Sequence, residues 1–343
     1  MNLKELSLKL GLSPTTVSRA LNGYPEVNDV TRDRVVAAAK RHNYRPNTRA
    51  IRLATGRAMA VGHIFPVATK NEIMNPIFSD FIAGAGEIYT QNGYDMLLSV
   101  VADDAEQSAY RDLKSRGAVD GVIVHAVRTE DARIATLMDI GLPFVTHGRS
   151  AGIEENYSWV DVNNRRAFLR AANFLLDLGH LRVGLVNGLE KMAFATRRRI
   201  GYADALASRG IALDPALMSS HEMSEQAGFN AASLMLDQTD PPTAFLAASM
   251  LSGMGVRRAI EGRGLRVGRD VSVIIFDDEL SYLRNGDDVP IFTATRSSVR
   301  DAGRIAAQML LDLIADPMAA PQHRLLEADL ILGQSTGPAP RRL

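Results

Sequence analysis

The chain has 343 residues, 46% of them hydrophobic and 23% charged, with 39 basic and 39 acidic side chains and so no formal net charge. That length exceeds one compact core and points to two or three domains of ordinary soluble composition. Without cysteine, disulfides and thiolate metal sites are excluded, and no apolar run approaches the ~18–20 residues that span a bilayer.

The charge is unevenly placed. Residues 1–57 carry eleven Lys or Arg against four acids, a net of +7, which leaves −7 on the remainder. A basic head on an acidic body suits a protein whose head meets nucleic acid and whose body avoids it.

In chain order, Leu3, Leu6 and Leu10 fall at helical spacing, and Gly11 is a natural left-handed stop. Ser13-Pro14 then opens a second helix, with serine as N-cap and proline at the first helical position. That helix runs to about Asn22, packing through Val17 and Leu21. Two helices joined by a tight glycine-containing turn predict a helix-turn-helix, whose second helix enters the major groove. Its outward residues Thr15, Thr16, Ser18, Arg19 and Asn22 are short donors or an arginine fork, able to reach base edges and phosphates. A third helix is expected, capped by Asn28 or Thr31 and packed through Val30, Val35, Ala38 and Ala39. Arg45 precedes Pro46, so the chain breaks there. Residues 47–55 form a segment too short to be a stable helix alone. With Arg49 and Arg52, and with Ile51 and Leu53 exposed, it would suit a minor-groove wedge ordered by DNA and a partner copy. Taken singly, these stretches also read as a helical hairpin in a core and as a charged linker.

From residue 58 the pattern alternates. Apolar runs at 60–65, 96–101, 119–124, 143–146, 183–186, 243–247 and 271–276 read as buried parallel strands. Helical patterns lie at 78–92, 105–116, 131–140, 164–178, 198–209, 225–236, 253–261 and 299–313. This predicts βαβ units with helices on both sheet faces, divided between two lobes. Ligands in such folds sit beyond the carboxyl ends of strands. There is no glycine-rich dinucleotide fingerprint, phosphate loop, nucleophile elbow or cluster of metal ligands, so neither an enzyme nor a cofactor or metal is expected.

Residues 3–57 resemble the headpiece and hinge of the lactose-repressor/galactose-repressor family of bacterial regulators. The match is carried by Ser13, Thr16-Val17-Ser18-Arg19, Leu21-Asn22-Gly23, Val27, Thr31-Arg32, Val35, Asn43-Tyr44, Pro46-Asn47, Ala50 and Leu53. The body resembles that family's core, shared with periplasmic sugar-binding proteins, through Gly121-Val122-Ile123, Leu178-Gly179-His180, Arg198 with Gly201-Tyr202, Pro242-Thr243-Ala244, Gly264-Leu265-Arg266-Val267, Asp270-Val271-Ser272-Val273, Phe276-Asp277-Asp278 and Ser335-Thr336. The likeness spans residues 3–337.

The resemblance implies an all-α helix-turn-helix headpiece (1–44), a hinge (45–57), and a core of two doubly wound parallel-sheet lobes (58–337), followed by a tail (338–343). Lobe one would be about 58–158 plus 288–316, and lobe two about 159–287 plus 317–335. DNA contact falls to Ser13, Pro14, Thr15, Thr16, Ser18, Arg19, Asn22, Asn28, Tyr44, Asn47, Ala50 and Leu53. Of these, Pro14, Thr15 and Arg19 would occupy base-reading positions, and Leu53 is the leucine levered between base pairs. Effector contact falls to Arg198 and Asp277, with His125, Phe78, Met223 and Ser249 as further candidates and Asn75, Arg149 and Pro66 as weaker ones.

Three departures stand out, the first two of them at the cleft and so bearing on the effector: Ser249-Met250 replaces a usual Asn-Asp, Gly148-Arg149 an Asp-Arg, and Asn163 an aspartate. No leucine heptad trails the core, so a dimer is expected rather than a tetramer. The run through Arg52-Leu53-Ala54-Thr55-Gly56-Arg57 looks most like repressors of α-glucoside utilisation. The partners implied are pseudo-palindromic operator duplex, a mono- or disaccharide and a second copy. A sugar receptor without a DNA role is the competing reading. It would need export, and Met-Asn-Leu-Lys-Glu has no signal-peptide core, so a cytoplasmic repressor is expected.

Overall fold

A computed structural model describes residues 1–21, 23–44, 56–66, 76–102 and 105–340. They fall into two compact units, Met1–Met59 and Ala60–Leu343.

The first unit is built on α1 (Leu3–Leu10), α2 (Pro14–Leu21) and α3 (Asp29–Arg41). Asn2 and Glu5 form a reciprocal capping box at the start of α1, and Gly11 closes it with φ 64°. Ser13 Oγ accepts from Thr16 N–H at 3.0 Å, and Asn28 rather than Thr31 caps α3, its Oδ1 accepting from Thr31 N–H at 2.8 Å. Leu6, Leu10, Val17, Ala20, Val27, Val35 and Ala39 form one small core, with Leu21, Ala38 and Tyr44 against it. Val30, expected in that core, is 80% exposed; it sits in the first turn of α3, on the side away from α1 and α2. Arg34 donates to the Leu10 carbonyl at 2.5 Å, tying α3 to the end of α1.

The second unit begins with β1 (Ala60–Pro66), α4 (Pro76–Gln91), β2 (Asp95–Val101), α5 (Glu106–Ser115), β3 (Gly121–Val124), α6 (Ala132–Asp139), β4 (Phe144–His147) and β5 (Ser158–Val162). It continues with α7 (Asn164–Asp177), β6 (Val183–Asn187), α8 (Ala193–Ser208), β7 (Met218–Ser220), α9 (Glu225–Leu236), β8 (Ala244–Ala247), α10 (Met250–Glu261) and β9 (Ser272–Asp277). Last come β10 (Thr293–Arg296), α11 (Val299–Ala315), β11 (His323–Leu326) and β12 (Asp329–Ile331). The strands make two six-stranded sheets, ordered β11-β5-β4-β3-β1-β2 and β12-β10-β9-β8-β6-β7. Every pairing is parallel except β10 with β12.

These pairings correct the lobe boundaries. β5 lies in the first sheet, beyond the expected end of lobe one at 158. β10 lies in the second sheet although 288–316 was assigned to lobe one, and β11 lies in the first although 317–335 was assigned to lobe two. Only α11 from 288–316 packs in lobe one, against Phe81, Ile123 and Val145. The chain therefore crosses between sheets after β5, after β10 and after β11. Strand ends from both sheets are thereby gathered at one cleft.

Glycines let the covering helices approach closely. A Cβ on Gly84 would fall well inside contact distance of the Arg300 carbonyl oxygen on α11, and one on Gly201 would strike the Arg165 carbonyl of α7. Because backbone on both sides cannot yield cheaply, Gly84→Ala is expected to lower stability by about 3 kcal/mol. Chemical denaturation would show it as a lower midpoint with an unchanged slope.

Candidate functional site

The carboxyl ends of the strands line a cavity of about 150 Å³. Phe65, Phe78, Phe81, His125, His147 and Asp161 line it from the first lobe, and Asn164, Phe194, Arg198, Met223, Phe276 and Asp278 from the second. One wall is aromatic: Phe65 and Phe78 meet edge to face at 4.2 Å, and Phe81 stacks on His147 at 4.6 Å.

The other wall is charged. Arg198 donates through Nε to Asn164 Oδ1 at 2.7 Å and through Nη1 to the Ala248 carbonyl at 2.6 Å. Its guanidinium lies 3.9 Å from the Phe276 ring centre, 4.9 Å from Phe194 and 5.2 Å from Phe168, a cation held by ring faces. Burial draws its pKa down to about 10 against the pull of Asp278 and Asp161, so it stays charged at neutral pH. Burial pushes Asp278 up to about 7; Arg198 opposes the rise and the Asp277 carboxylate adds to it. Burial also raises Asp161, opposed by Arg197 and Arg149. His147 is held neutral by burial, its pKa near 4.

Four sequence candidates, Phe78, His125, Arg198 and Met223, meet at this cavity. Ser249 stands beside it: it caps α10, accepting from Ser252 N–H at 3.1 Å, and borders a pocket of about 10 Å³ that also touches Met223 and Asp278. Asp277 requires a correction. Its Oδ1 accepts from Glu279 N–H at 2.9 Å and its Oδ2 from Arg296 Nε at 3.1 Å, and it is the next residue, Asp278, that lines the cavity. Phe276 faces the cavity, and consecutive strand residues point to opposite faces, so Asp277 is turned toward its β10 neighbour. Arg149 also falls outside the lining. It stacks over Trp159 at 4.9 Å and holds Asp161 Oδ2 at 3.0 Å. Arg198 lies in the second turn of α8 rather than at a helix start, since α8 begins at Ala193. Asn75 and the Pro66 side chain lie outside the described residues. Sequence reasoning missed His147, Asp161 and Asp278, although each is a polar residue at or just past the carboxyl end of a strand.

On the headpiece, Ser13, Pro14, Thr15 and Arg19 are exposed, while Thr16 and Ser18 are half-buried. Asn28 is committed to its cap. Tyr44 is half-buried against the small core, and burial raises its hydroxyl pKa. Asn22, Asn47, Ala50 and Leu53 lie outside the described residues. Pro14 has no N–H to donate to a base, and direct readout is expected to fall mainly to the exposed Thr15 and Arg19. Arg19→Ala is expected to cost ~1–3 kcal/mol on the preferred site and to relax preference at one base pair. Selection from a randomised duplex pool would reveal it, and an unchanged motif would remove Arg19 from base reading.

A helical DNA-reading unit joined to a two-lobed cleft defines a ligand-responsive DNA-binding regulator. Comparison with known proteins bears this out. Residues 2–47 match the bacterial regulatory proteins of the lacI family, and residues 172–336 match the periplasmic binding protein-like domain. The HTH-type transcriptional regulator AglR of Rhizobium meliloti (strain 1021) is 42% identical over 342 residues, covering 100% of this chain and 96% of the relative. RafR of Escherichia coli, also an HTH-type transcriptional regulator, is 32% identical, with 92% of each chain covered. Among solved structures, a lac repressor dimer bound to operator and the anti-inducer ONPF aligns with TM-score 0.78 at 25% identity, covering 98% of this chain and 99% of that one. A CelR–cellobiose complex aligns with TM-score 0.73 at 27% identity, covering 98% and 99%.

The chain belongs to the lacI family of bacterial regulatory proteins. It is a transcriptional regulator and not an enzyme, and the match over residues 2–47 overturns the reading as a receptor without a DNA role. Among the described residues no helix is long and apolar enough to cross a membrane.

Proposed function

We propose that the chain is a dimeric, sugar-responsive repressor whose cavity takes a small carbohydrate of the α-glucoside type and thereby sets the affinity of α2 for an inverted-repeat operator. The observation that carries this is the cavity's two-sided chemistry. An aromatic wall suits the apolar face of a sugar ring, while Arg198, Asn164, Asp161 and Asp278 supply partners for hydroxyls that would otherwise be buried unpaired. The α-glucoside class rests on the likeness of residues 52–57 to repressors of that type. A neighbouring structure that is a cellobiose complex supports a carbohydrate ligand in general, cellobiose itself being a β-linked disaccharide.

Contacts beside the cavity join the two lobes. Arg128 bridges to Met192, Thr129 N–H donates to the Lys191 carbonyl at 3.1 Å, and Arg197 donates to the Arg149 carbonyl at 2.8 Å. A ligand that changes the lobe angle must rearrange them, and the coupling to DNA is expected at ~1–3 kcal/mol and to be reciprocal. Fluorescence anisotropy on an inverted-repeat duplex, titrated with mono- and disaccharides, tests the proposal. A shift of about fivefold or more with an α-glucoside is the expected result. A preferred operator whose affinity no carbohydrate alters would refute it.

A further inference from the structure

Behind the aromatic wall lies a chain of three buried polar rings that effector binding alone does not explain. Tyr89 on α4, His63 on β1 and His125 just past β3 are 1%, 0% and 7% exposed. His63 Nδ1 lies 2.9 Å from His125 Nε2, and Tyr89 Oη lies 3.4 Å from His63 Nε2. The two imidazoles are nearly coplanar, at 20°. Phe65 stacks on His125 from one side, and Phe78 and Phe81 meet it edge to face.

We infer that Tyr89 and His63 fix the tautomer of His125 so that its Nδ1 offers an N–H to the cavity, making His125 select ligands that place an acceptor oxygen there. The direction follows from the hydroxyl at the far end. Tyr89 has one hydrogen to donate, and among the described residues its one hydrogen-bond partner is His63 Nε2. Donation there makes His63 Nε2 an acceptor and puts the His63 proton on Nδ1. That proton goes to His125 Nε2, so the His125 proton sits on Nδ1. The reverse order would leave the Tyr89 hydrogen buried with no acceptor, which disfavours it by about tenfold in population or more. Burial holds both imidazoles neutral: His63 has a pKa near 3, and His125 is pushed well below its usual value, helped by His63, His147 and Arg133. A cationic ring, which would donate from both nitrogens, is thereby excluded at neutral pH. His125 Nδ1 has no hydrogen-bond partner among the described residues, and the residue lines the cavity.

A sugar hydroxyl could satisfy either tautomer, because it both donates and accepts. A ring oxygen, a glycosidic oxygen, an O-methyl group or a fluorine only accepts, and only the Nδ1–H form welcomes it. The ligand class rests on the carbohydrate reading above; the tautomer does not. Long-range ¹H–¹⁵N spectra of the full-length, ligand-free protein labelled at histidine, with His125→Gln for assignment, are the deciding measurement. His125 and His63 are both expected to be protonated at Nδ1 and bare at Nε2. A His125 protonated at Nε2, or one averaging evenly between forms, overturns the inference without any ligand being needed. Tyr89→Phe is then expected to mix the tautomers and to weaken the best carbohydrate by about three- to tenfold. That loss should be largest for analogues methylated or fluorinated at the contacting position. A variant with an unchanged His125 tautomer removes Tyr89 from the relay. Spectra as expected beside a panel with no binder would count against the carbohydrate reading and leave the relay standing.

Discussion

Arg198→Met is expected to abolish the effector response while leaving operator binding measurable. The guanidinium has five N–H groups, and its two donated hydrogen bonds to Asn164 and Ala248 leave about three for a ligand. A hydrogen bond from a charged donor in a buried site contributes about 1.5–3 kcal/mol, so losing two of them weakens ligand by a hundredfold or more. Methionine keeps the contact with Phe276 and roughly fills the volume, which limits the packing loss. The Asn164 and Ala248 oxygens lose their partner, and Asp278 loses the cation that restrains its rise. Arg198→Lys keeps the charge but not the planar fork, and its response is expected to lie in between. Calorimetry would read the affinity and duplex anisotropy the response. A midpoint that still moves with sugar as it does in wild type would show that Arg198 serves only the fold.

Much of this site could be read before the fold was known, and the failures have physical causes. The covering helices are recovered because each buries one stripe at period 3.6. Arg198 is visible by its offset from Gly201, which the packing of α8 on α7 requires. The strands missed are short and polar. Ser158–Val162 contains a buried aspartate that makes sense only beside Arg149 and Arg197, which come from distant segments. Thr293–Arg296 buries two threonines, whose hydroxyls meet Thr336 in the C-terminal segment and the Ile275 carbonyl of β9. The start of α8 is missed because its N-cap, Met192, has no capping side chain. The exchange of Asp277 for Asp278 is one step of the pleat, a shift that motif matching cannot sense and strand register decides.

The second large effect lies under the cavity loop. Arg133, 4% exposed, donates to Glu106 Oε1 at 2.6 Å and to Asp131 through Nη2 at 2.7 Å and Nε at 2.9 Å. It also donates to the carbonyls of His125 and Ala126 at 3.0 and 3.1 Å. Ala126 has φ 48°, a conformation that costs a non-glycine residue of order 1–3 kcal/mol unless its surroundings impose it. Arg133 is therefore what holds the strained loop that presents His125 to the cavity. Arg133→Met leaves two buried carboxylates with only Arg128 near them, and a loss of about 3–5 kcal/mol is expected, or roughly 10 °C in melting temperature. The pH dependence should change sign. Burial raises Asp131, but its bonds to Arg133 outweigh that and hold it below the usual carboxylate value. A depressed pKa contributes stability that is present above the unfolded value and lost as pH falls through the folded one. Without the Arg133 guanidinium, burial becomes the largest effect on Asp131, opposed by the backbone N–H groups of residues 128 and 133. Asp131 then takes up a proton more readily folded than unfolded, and the variant should gain stability on moving from neutral pH to about pH 5. Thermal unfolding at both pH values decides the matter: parallel slopes for the two proteins would show that the buried pair is not what holds this loop.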